Sequence, residues 1–324
     1  MQQITLDEIE SAASIVYAEM QGTPQYCWPL LCERLGTEVW VKHENHTPIG
    51  SFKIRGGLVY FANLAKSSEM PKGIVSATRG NHGQSVGFAA QRYGIPATIL
   101  VPHGNSLEKN AAMRAFGVHL IEHGEDFQAA REYAKDLAHE KSLKMISSFD
   151  PLLVTGVATY SLELLRAVKD LDVVYVPIGL GSGICGMLAV RDALELNTEI
   201  VGVVSAHANT YAKSFVSRSP VESTVSTKIA DGIDCRVPEQ SALDLIWKGV
   251  ERIVQVSDTE IAESMRIMYE CTHNVCEGAG AAAIAAALQE SSKNKGLKVA
   301  VIASGGNVDR DVFAKILNGE NFVD

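Results

Sequence analysis

Thr47-Pro48-Ile49-Gly50-Ser51-Phe52-Lys53-Ile54-Arg55-Gly56-Gly57 is the stretch from which the fold can be read. It follows a candidate strand, Thr37–Glu44, passes through a Pro/Gly turn and enters a candidate helix. A lysine at that junction can hold its amine in a cleft. A helix N-terminus and partial burial both favour the neutral amine, the form that attacks a carbonyl group to make a Schiff base. In isolation Lys53 reads more readily as a solvated cation on a helix, one among 29 lysines and arginines.

Three further segments change that balance. Ser76-Ala77-Thr78-Arg79-Gly80-Asn81-His82-Gly83-Gln84 opens the next helix. Val176-Pro177-Ile178-Gly179-Leu180-Gly181-Ser182-Gly183-Ile184-Cys185-Gly186 leaves an apolar strand, and Ser304-Gly305-Gly306-Asn307 closes the last one. Together, in this order, the four segments resemble the fold-type II pyridoxal-phosphate (PLP) enzymes, and within them the serine/threonine dehydratase and serine racemase family. The resemblance spans about Thr23 to Asn307. It implies an α/β protein like the tryptophan synthase β chain, with two open, twisted, mostly parallel sheets flanked by helices. A small domain, 71–150, would be inserted in a large PLP-binding domain, 1–70 and 151–324, with the cofactor in the cleft between them.

Composition is compatible with that reading. The 324 residues can hold two domains of moderate size, or one large α/β unit. A net charge of -9 and the absence of a basic run argue against a nucleic-acid partner and for a soluble, cytoplasmic protein. Met1-Gln2-Gln3-Ile4-Thr5-Leu6-Asp7-Glu8 has neither the basic nor the apolar region of a signal peptide. No apolar run reaches the length of a membrane span, and Ala279–Leu288 reads as a buried helix. The six cysteines show no Cys-x-x-Cys pair and read as free, buried thiols. Neither Cys271–Cys276 nor His43–His46 has the ligand count of a structural zinc site.

Thr5-Leu6-Asp7-Glu8 predicts a capping box at a first helix. Beyond it, candidate strands at Gly73–Ala77, Ala97–Val101, Val118–Glu122, Lys144–Ile146, Val173–Pro177, Glu199–Ser205, Arg252–Val256 and Lys298–Ala303 alternate with helix-length segments. Continuous apolar strands such as Val173-Val174-Tyr175-Val176 predict burial on both faces of a parallel sheet, in βαβ order. The Ser- and Thr-rich segment from Ser214 to Ser226 reads as a surface loop. Little chain follows Ser304, so no C-terminal regulatory domain is expected.

Gly179-Leu180-Gly181-Ser182-Gly183 joins a strand to a helix, where backbone N–H groups and the helix dipole suit a phosphate. The overlapping Gly181-Ser182-Gly183-Ile184-Cys185-Gly186 also satisfies the dinucleotide fingerprint. That reading, a nicotinamide oxidoreductase, requires an acid at the end of the next strand. Val204-Ser205-Ala206-His207 supplies none, which leaves the dehydrogenase a distant second.

The resemblance implies roles residue by residue. Lys53 would carry the cofactor and then remove the substrate Cα proton. Phe52 would pack on the cofactor ring, and Asn81 would bond its 3′-oxygen. Gly179, Leu180, Gly181, Ser182 and Gly183 would hold its phosphate, and Ser304 its pyridine nitrogen. A hydroxyl there, unlike a carboxylate, does not keep that nitrogen protonated, and the weaker electron sink suits elimination better than transamination. Ser76, Thr78, Arg79, Gly80 and His82 would meet the substrate. Glu277 resembles a family residue near the cofactor, and Asp231-Gly232 a family signature for which a plain turn is the simpler reading.

Two departures refine the expectation. Arg79 stands where dehydratases have a small residue and where the racemase has a serine acting on the opposite face, so racemisation is expected only as a side activity. The Thr-Arg-Gly-Asn variant looks closest to phenylserine dehydratases. Arg79 could pair with a carboxylate, cover an aromatic ring or gate the cleft, or simply point to solvent. Val204 and Ser205 replace the glutamate that begins the family's activating metal site, so no metal is expected. The expected activity is conversion of a 3-hydroxy-L-amino acid (threo-3-phenylserine, threonine or serine) to a 2-oxo acid and ammonia. A homodimer is implied by resemblance alone.

Overall fold

The computed structural model describes residues 4–67, 70–320 and 322; Met1–Gln3, part of the stretch read for a leader, lie outside the described residues. Among the described residues ten strands build two sheets. The larger contains β1 (Gln25–Cys27), β2 (Glu38–His43), β7 (Val173–Pro177), β8 (Glu199–Ser205), β9 (Arg252–Val256) and β10 (Lys298–Ala303), in the order β1-β2-β10-β7-β8-β9. The smaller contains β3 (Ile74–Ala77), β4 (Ala97–Val101), β5 (His119–Glu122) and β6 (Lys144–Met145), in the order β5-β4-β3-β6. Every pairing is parallel except β1 with β2, where Tyr26 faces Val41.

Both sheets are buried on both faces, and the period of two along a strand decides which core each side chain joins. In the larger sheet Val174, Val176, Ile200, Val204, Ala300 and Ile302 pack into one core. Their neighbours Val173, Tyr175, Val201, Val203, Val299 and Val301 pack into the other. The smaller sheet repeats the scheme, with Ile74, Ile99 and Val101 on one side and Val75, Ala77 and Leu100 on the other. This is the α/β architecture of two mainly parallel sheets that the sequence predicted.

Helix ends follow local chemistry. Thr5 and Glu8 form the expected capping box at Leu6–Tyr17, and Ser257 and Glu260 form a second at Asp258–Thr272. The Gly278–Gln289 helix has alanines along most of its length and is buried from Gly278 to Ala287, as its composition predicted.

Three expectations need correction. The edge strand β1 was not foreseen. Three residues are too few to show alternation, and Pro24 supplies only a carbonyl, accepting from the His43 N–H. The segment read as a loop from Ser214 begins inside a helix, Thr210–Ser217. Ser214 is fully buried there, its carbonyl accepting from Trp247 Nε1 at 3.0 Å. Of the six thiols only Cys185, Cys235 and Cys276 are buried; Cys27, Cys32 and Cys271 are half-buried, and Cys27 Sγ lies 3.3 Å from Cys32 Sγ.

Candidate active site

Parallel pairing places the C-terminal ends of β2, β10 and β7 side by side, because they are consecutive in the larger sheet. After β2 the chain turns through Glu44–His46 and reaches Lys53 at the start of the Lys53–Leu64 helix. After β10 comes Ser304, and after β7 the Gly179–Gly183 loop, which opens the Ser182–Ala193 helix. An isolated bridge between Ser51 and Gly305, with the Phe52 N–H donating to Ser304 O at 3.1 Å, ties the lysine loop to the end of β10. Three of the four motifs are thus neighbours along one sheet edge. The fourth, Thr78–His82, leaves the C-terminal end of β3 in the smaller sheet and starts the Asn81–Arg92 helix.

A cavity of about 420 Å³ opens between them. Lys53, Thr78, Arg79, Gly80, Asn81, His82, Gly179 and Leu180 all line it. Farther along its wall are Phe127, Arg131, Val225, Asp234, Cys235 and Val237. Burial pushes the Lys53 amine below its ordinary range, and the Glu277 carboxylate pulls part of the way back. Nζ lies 5.2 Å from the centre of the Phe52 ring, which in turn packs edge-on against Tyr160. Burial, and then the charge of Lys53, lower the His82 imidazole to about 3, so it is neutral at physiological pH, and its Nε2 has no partner.

The Thr78–His82 turn is an unfinished helix end. Thr78 Oγ1 accepts from the Gly80 N–H at 2.9 Å and from the Gly83 N–H at 3.3 Å. The Gln84 N–H donates to Gly80 O, so the amides of Asn81 and His82 are the helix N–H groups without a partner among the described residues. Two adjacent amides at a helix N-terminus facing a cavity suit a carboxylate. Ser76 takes no part in the lining. Its hydroxyl donates to Ile146 O at 2.8 Å inside the small sheet, so the expectation that its side chain meets substrate gives way.

The Gly179–Gly183 loop is held from behind. Tyr211 donates its hydroxyl to Leu180 O at 2.9 Å, and Tyr160 donates to Gly183 O at 3.2 Å. Gly181 has φ +102, and a Cβ there would lie 2.7 Å from the Ala242 Cβ; only glycine closes this turn. The result is a backbone cradle at a helix start, which fits a phosphate. At the end of β10 the Ser304 hydroxyl is buried and finds only a long 3.4 Å contact to Ala279 O. A neutral, weakly used hydroxyl fits an aromatic ring nitrogen. The donor set as a whole matches the cofactor expected from the motifs.

Sequence reasoning named Glu277, Asp231, Asn81 and Arg79 but missed Lys109, Asp234 and the contacts that join them. Glu277 Oε1 accepts from Asn81 Nδ2 at 2.5 Å, and Asn81 Oδ1 accepts from Asn307 Nδ2 at 2.8 Å. Lys109 reaches Asp231 at 2.8 Å and Glu277 at 3.1 Å, so Asp231 does more than make a turn. Arg79 points into the cavity, with Nε 3.3 Å from Asp234 Oδ2, and not simply to solvent. No local pattern announced Lys109 or Asp234; a lone lysine on a helix and a lone aspartate in a loop carry no spacing signal. At the end of β8, where the family places its metal glutamate, Ser205 is buried and its hydroxyl accepts from the His207 N–H.

Fold and site together define an α/β protein with a buried amine, a glycine-rich backbone turn at a helix start and a buried hydroxyl along one sheet edge. The chain belongs to the pyridoxal-phosphate dependent enzyme family, whose sequence model matches residues 17–305. It is 33% identical over 316 residues to an L-threonine ammonia-lyase of Thermotoga maritima, covering 97% of this chain and 78% of the relative. It is 32% identical over 327 residues to a catabolic L-threonine dehydratase of Staphylococcus aureus, covering 99% and 94%. The structure of maize serine racemase superposes with a TM-score of 0.90 at 26% identity, covering 98% of each chain. Among the described residues no helix is long and apolar enough to cross a membrane.

Proposed function

We propose that this enzyme is a hydroxy-amino-acid dehydratase, converting a 3-hydroxy-L-amino acid to a 2-oxo acid and ammonia, and that it favours a large side chain such as that of threo-3-phenylserine. The observation that carries the reading is the Lys53 amine, lowered by burial, in a cavity also lined by Asn81, His82 and the Gly179 and Leu180 end of the glycine loop. The dehydratase relatives support the reaction class.

In this reading Lys53 binds the cofactor, with Phe52 beside it, Asn81 at the ring oxygen, Ser304 at the ring nitrogen, and Gly179, Leu180, Gly181, Ser182 and Gly183 around the phosphate. When bound, pyridoxal 5′-phosphate withdraws electrons from the substrate Cα. The chain does the rest. The Asn81 and His82 amides hold the substrate carboxylate, Thr78 keeps that turn in shape, and Gly80 leaves it open. Lys53 Nζ, its amine lowered by burial, takes the Cα proton. The hydroxyl leaves Cβ as water, and hydrolysis of the unsaturated amine releases ammonia and the 2-oxo acid. His82, neutral throughout, adds no charge beside the amine. The four-stranded sheet and its helices, 71–150, act as a small domain against 1–70 and 151–324.

Arg79 is the specificity element in this reading. Asp234 lies against its guanidinium and neutralises it above about pH 7, where the pair offers a flat polar wall to a substrate side chain and not a free cation. Beyond it the cavity reaches Phe127, Val225 and Val237, which can surround a ring. The test is release of 2-oxo acid by the purified protein, comparing kcat/KM for L-threo-3-phenylserine and L-threonine. The expected preference is for phenylserine, about tenfold or more, as a ring filling an apolar pocket is worth more than a methyl group. A preference for threonine removes the aromatic-pocket reading and leaves an ordinary threonine dehydratase.

A further inference from the structure

Lys109 lies on the Leu107–Ala115 helix, which belongs to the smaller sheet, yet its side chain crosses to residues of the larger one. It is buried, and it passes Gly80 so closely that a Cβ at position 80 would lie 2.5 Å from Lys109 Cδ. Its Nζ stands 2.8 Å from Asp231 Oδ2 and 3.1 Å from Glu277 Oε2. The other oxygen of Glu277 accepts from Asn81 Nδ2, and Asn81 is braced from the far side by Asn307, which also donates to Ile49 O. A continuous chain of polar contacts therefore runs Asp231–Lys109–Glu277–Asn81–Asn307 along the cavity.

We propose that Lys109 is a positioning residue of this site: its ion pair keeps Glu277 charged and oriented, so that Glu277 fixes Asn81 and sets the field in which Lys53 works. The inference rests on Lys53 as the amine that captures the cofactor.

The groups around Glu277 are few. Lys109 approaches from one helix, Asp231 from the turn Asp231–Ile233, Asn81 from a second helix, and Lys53 from a third; Cys276 precedes it in the chain. Burial pushes the Glu277 carboxyl up, the Lys109 ammonium pulls it down, and Asp231 pushes it up again. Burial alone would lower the Lys109 ammonium, but Glu277 and Asp231 outweigh it and hold the charge firmly. Without that cation a buried carboxylate takes up a proton. The upward pull of Glu277 on the Lys53 amine then disappears.

The experiment titrates apoprotein with pyridoxal 5′-phosphate across pH, following the absorbance of bound cofactor to find the pH midpoint of capture. Lys109→Met and Glu277→Gln should each move the midpoint to lower pH by roughly half a unit, about a threefold change in the neutral-amine fraction. The double variant should move it no further than either single change, because each ends with the negative charge at position 277 lost. Lys109→Arg should restore the wild-type midpoint. Should Lys109→Met fail to fold, Lys109→Gln keeps N–H donors toward the carboxylates without the charge, and the same shift is expected of it. A Lys109→Gln or Lys109→Met midpoint equal to wild type, or shifts that add in the double variant, overturns the proposal. Capture that survives Lys53→Ala overturns the reading of Lys53 and this inference with it. Capture that needs Lys53 but ignores Lys109 overturns this inference alone.

Discussion

Asp234 shows what a single neighbour can do to a residue. Burial pushes its carboxyl up to about 7, although Arg79 pulls in the other direction. The folded protein therefore holds a proton there between about pH 4 and about pH 7 that the unfolded chain has released. Stability from this group is present at low pH and falls as pH rises through that window, while the Arg79 ion pair forms only at its upper end. Asp234→Asn should flatten the pH dependence of the urea midpoint between pH 5 and 7, and should remove an ionisation near 7 from the kcat/KM profile. Unchanged profiles in the variant would mean that Asp234 is ionised throughout. Lys53, Asn81, Ser304 and the glycine loop, proposed above to hold the cofactor, were legible as candidates because each sits in a short motif after a strand. Asp234 and Lys109 were not, because what distinguishes them is a partner far away in sequence.

The Lys53–Leu64 helix illustrates the scale of an element. Lys53 opens it toward the cavity, and Arg55, two residues on, faces the opposite side and is fully buried. Its guanidinium holds Glu44 through Nε at 2.7 Å and Glu163 through a terminal nitrogen at 2.6 Å, and Lys42 adds a second cation on Glu163 at 2.6 Å. Three elements are thereby locked: the end of β2, the first turn of the lysine helix and the Pro151–Ala167 helix. Arg55→Met strands the buried Glu44 carboxylate and leaves Glu163 with Lys42 alone, and breaking one partner of a buried pair costs about 3–5 kcal/mol. Chemical denaturation should show a loss of that size, with cofactor affinity falling as the lysine loosens. A loss below about 1 kcal/mol would show that the network is solvated. From sequence Arg55 was merely the residue after Ile54. Half of the ten strands among the described residues were recognised to the residue, Val173–Pro177 and Glu199–Ser205 among them, because apolar runs of that length bounded by turns read clearly. The strand Gln25–Cys27 and the helix at Ser214 were not, because their structure comes from tertiary contacts and not from local pattern.

For the whole molecule, the arrangement of two sheets puts the cavity between segments far apart in sequence. Arg79 with Asp234, Lys109 with Asp231, and Ser106 with Asp309 all bridge from the smaller sheet's elements to those of the larger. Family resemblance implies a homodimer, and light scattering should return about twice the chain mass of 34.9 kDa; a value equal to one chain would remove the dimer from this reading. The resemblance of its motifs to a known family supplied the cofactor; the sequence by itself determined the parallel α/β class, the motif that carries the lysine and the glycine-rich loop. Those properties reside in short stretches whose hydrophobic period, glycine content and helix starts act locally. Only the tertiary structure decided that Glu277 would receive both Asn81 and Lys109, that Arg79 would meet Asp234, and that Ser76 would turn into its own sheet. The reason is physical: a buried charge must find an opposite charge or a proton, and which one it finds depends on the packing of elements that local sequence does not describe.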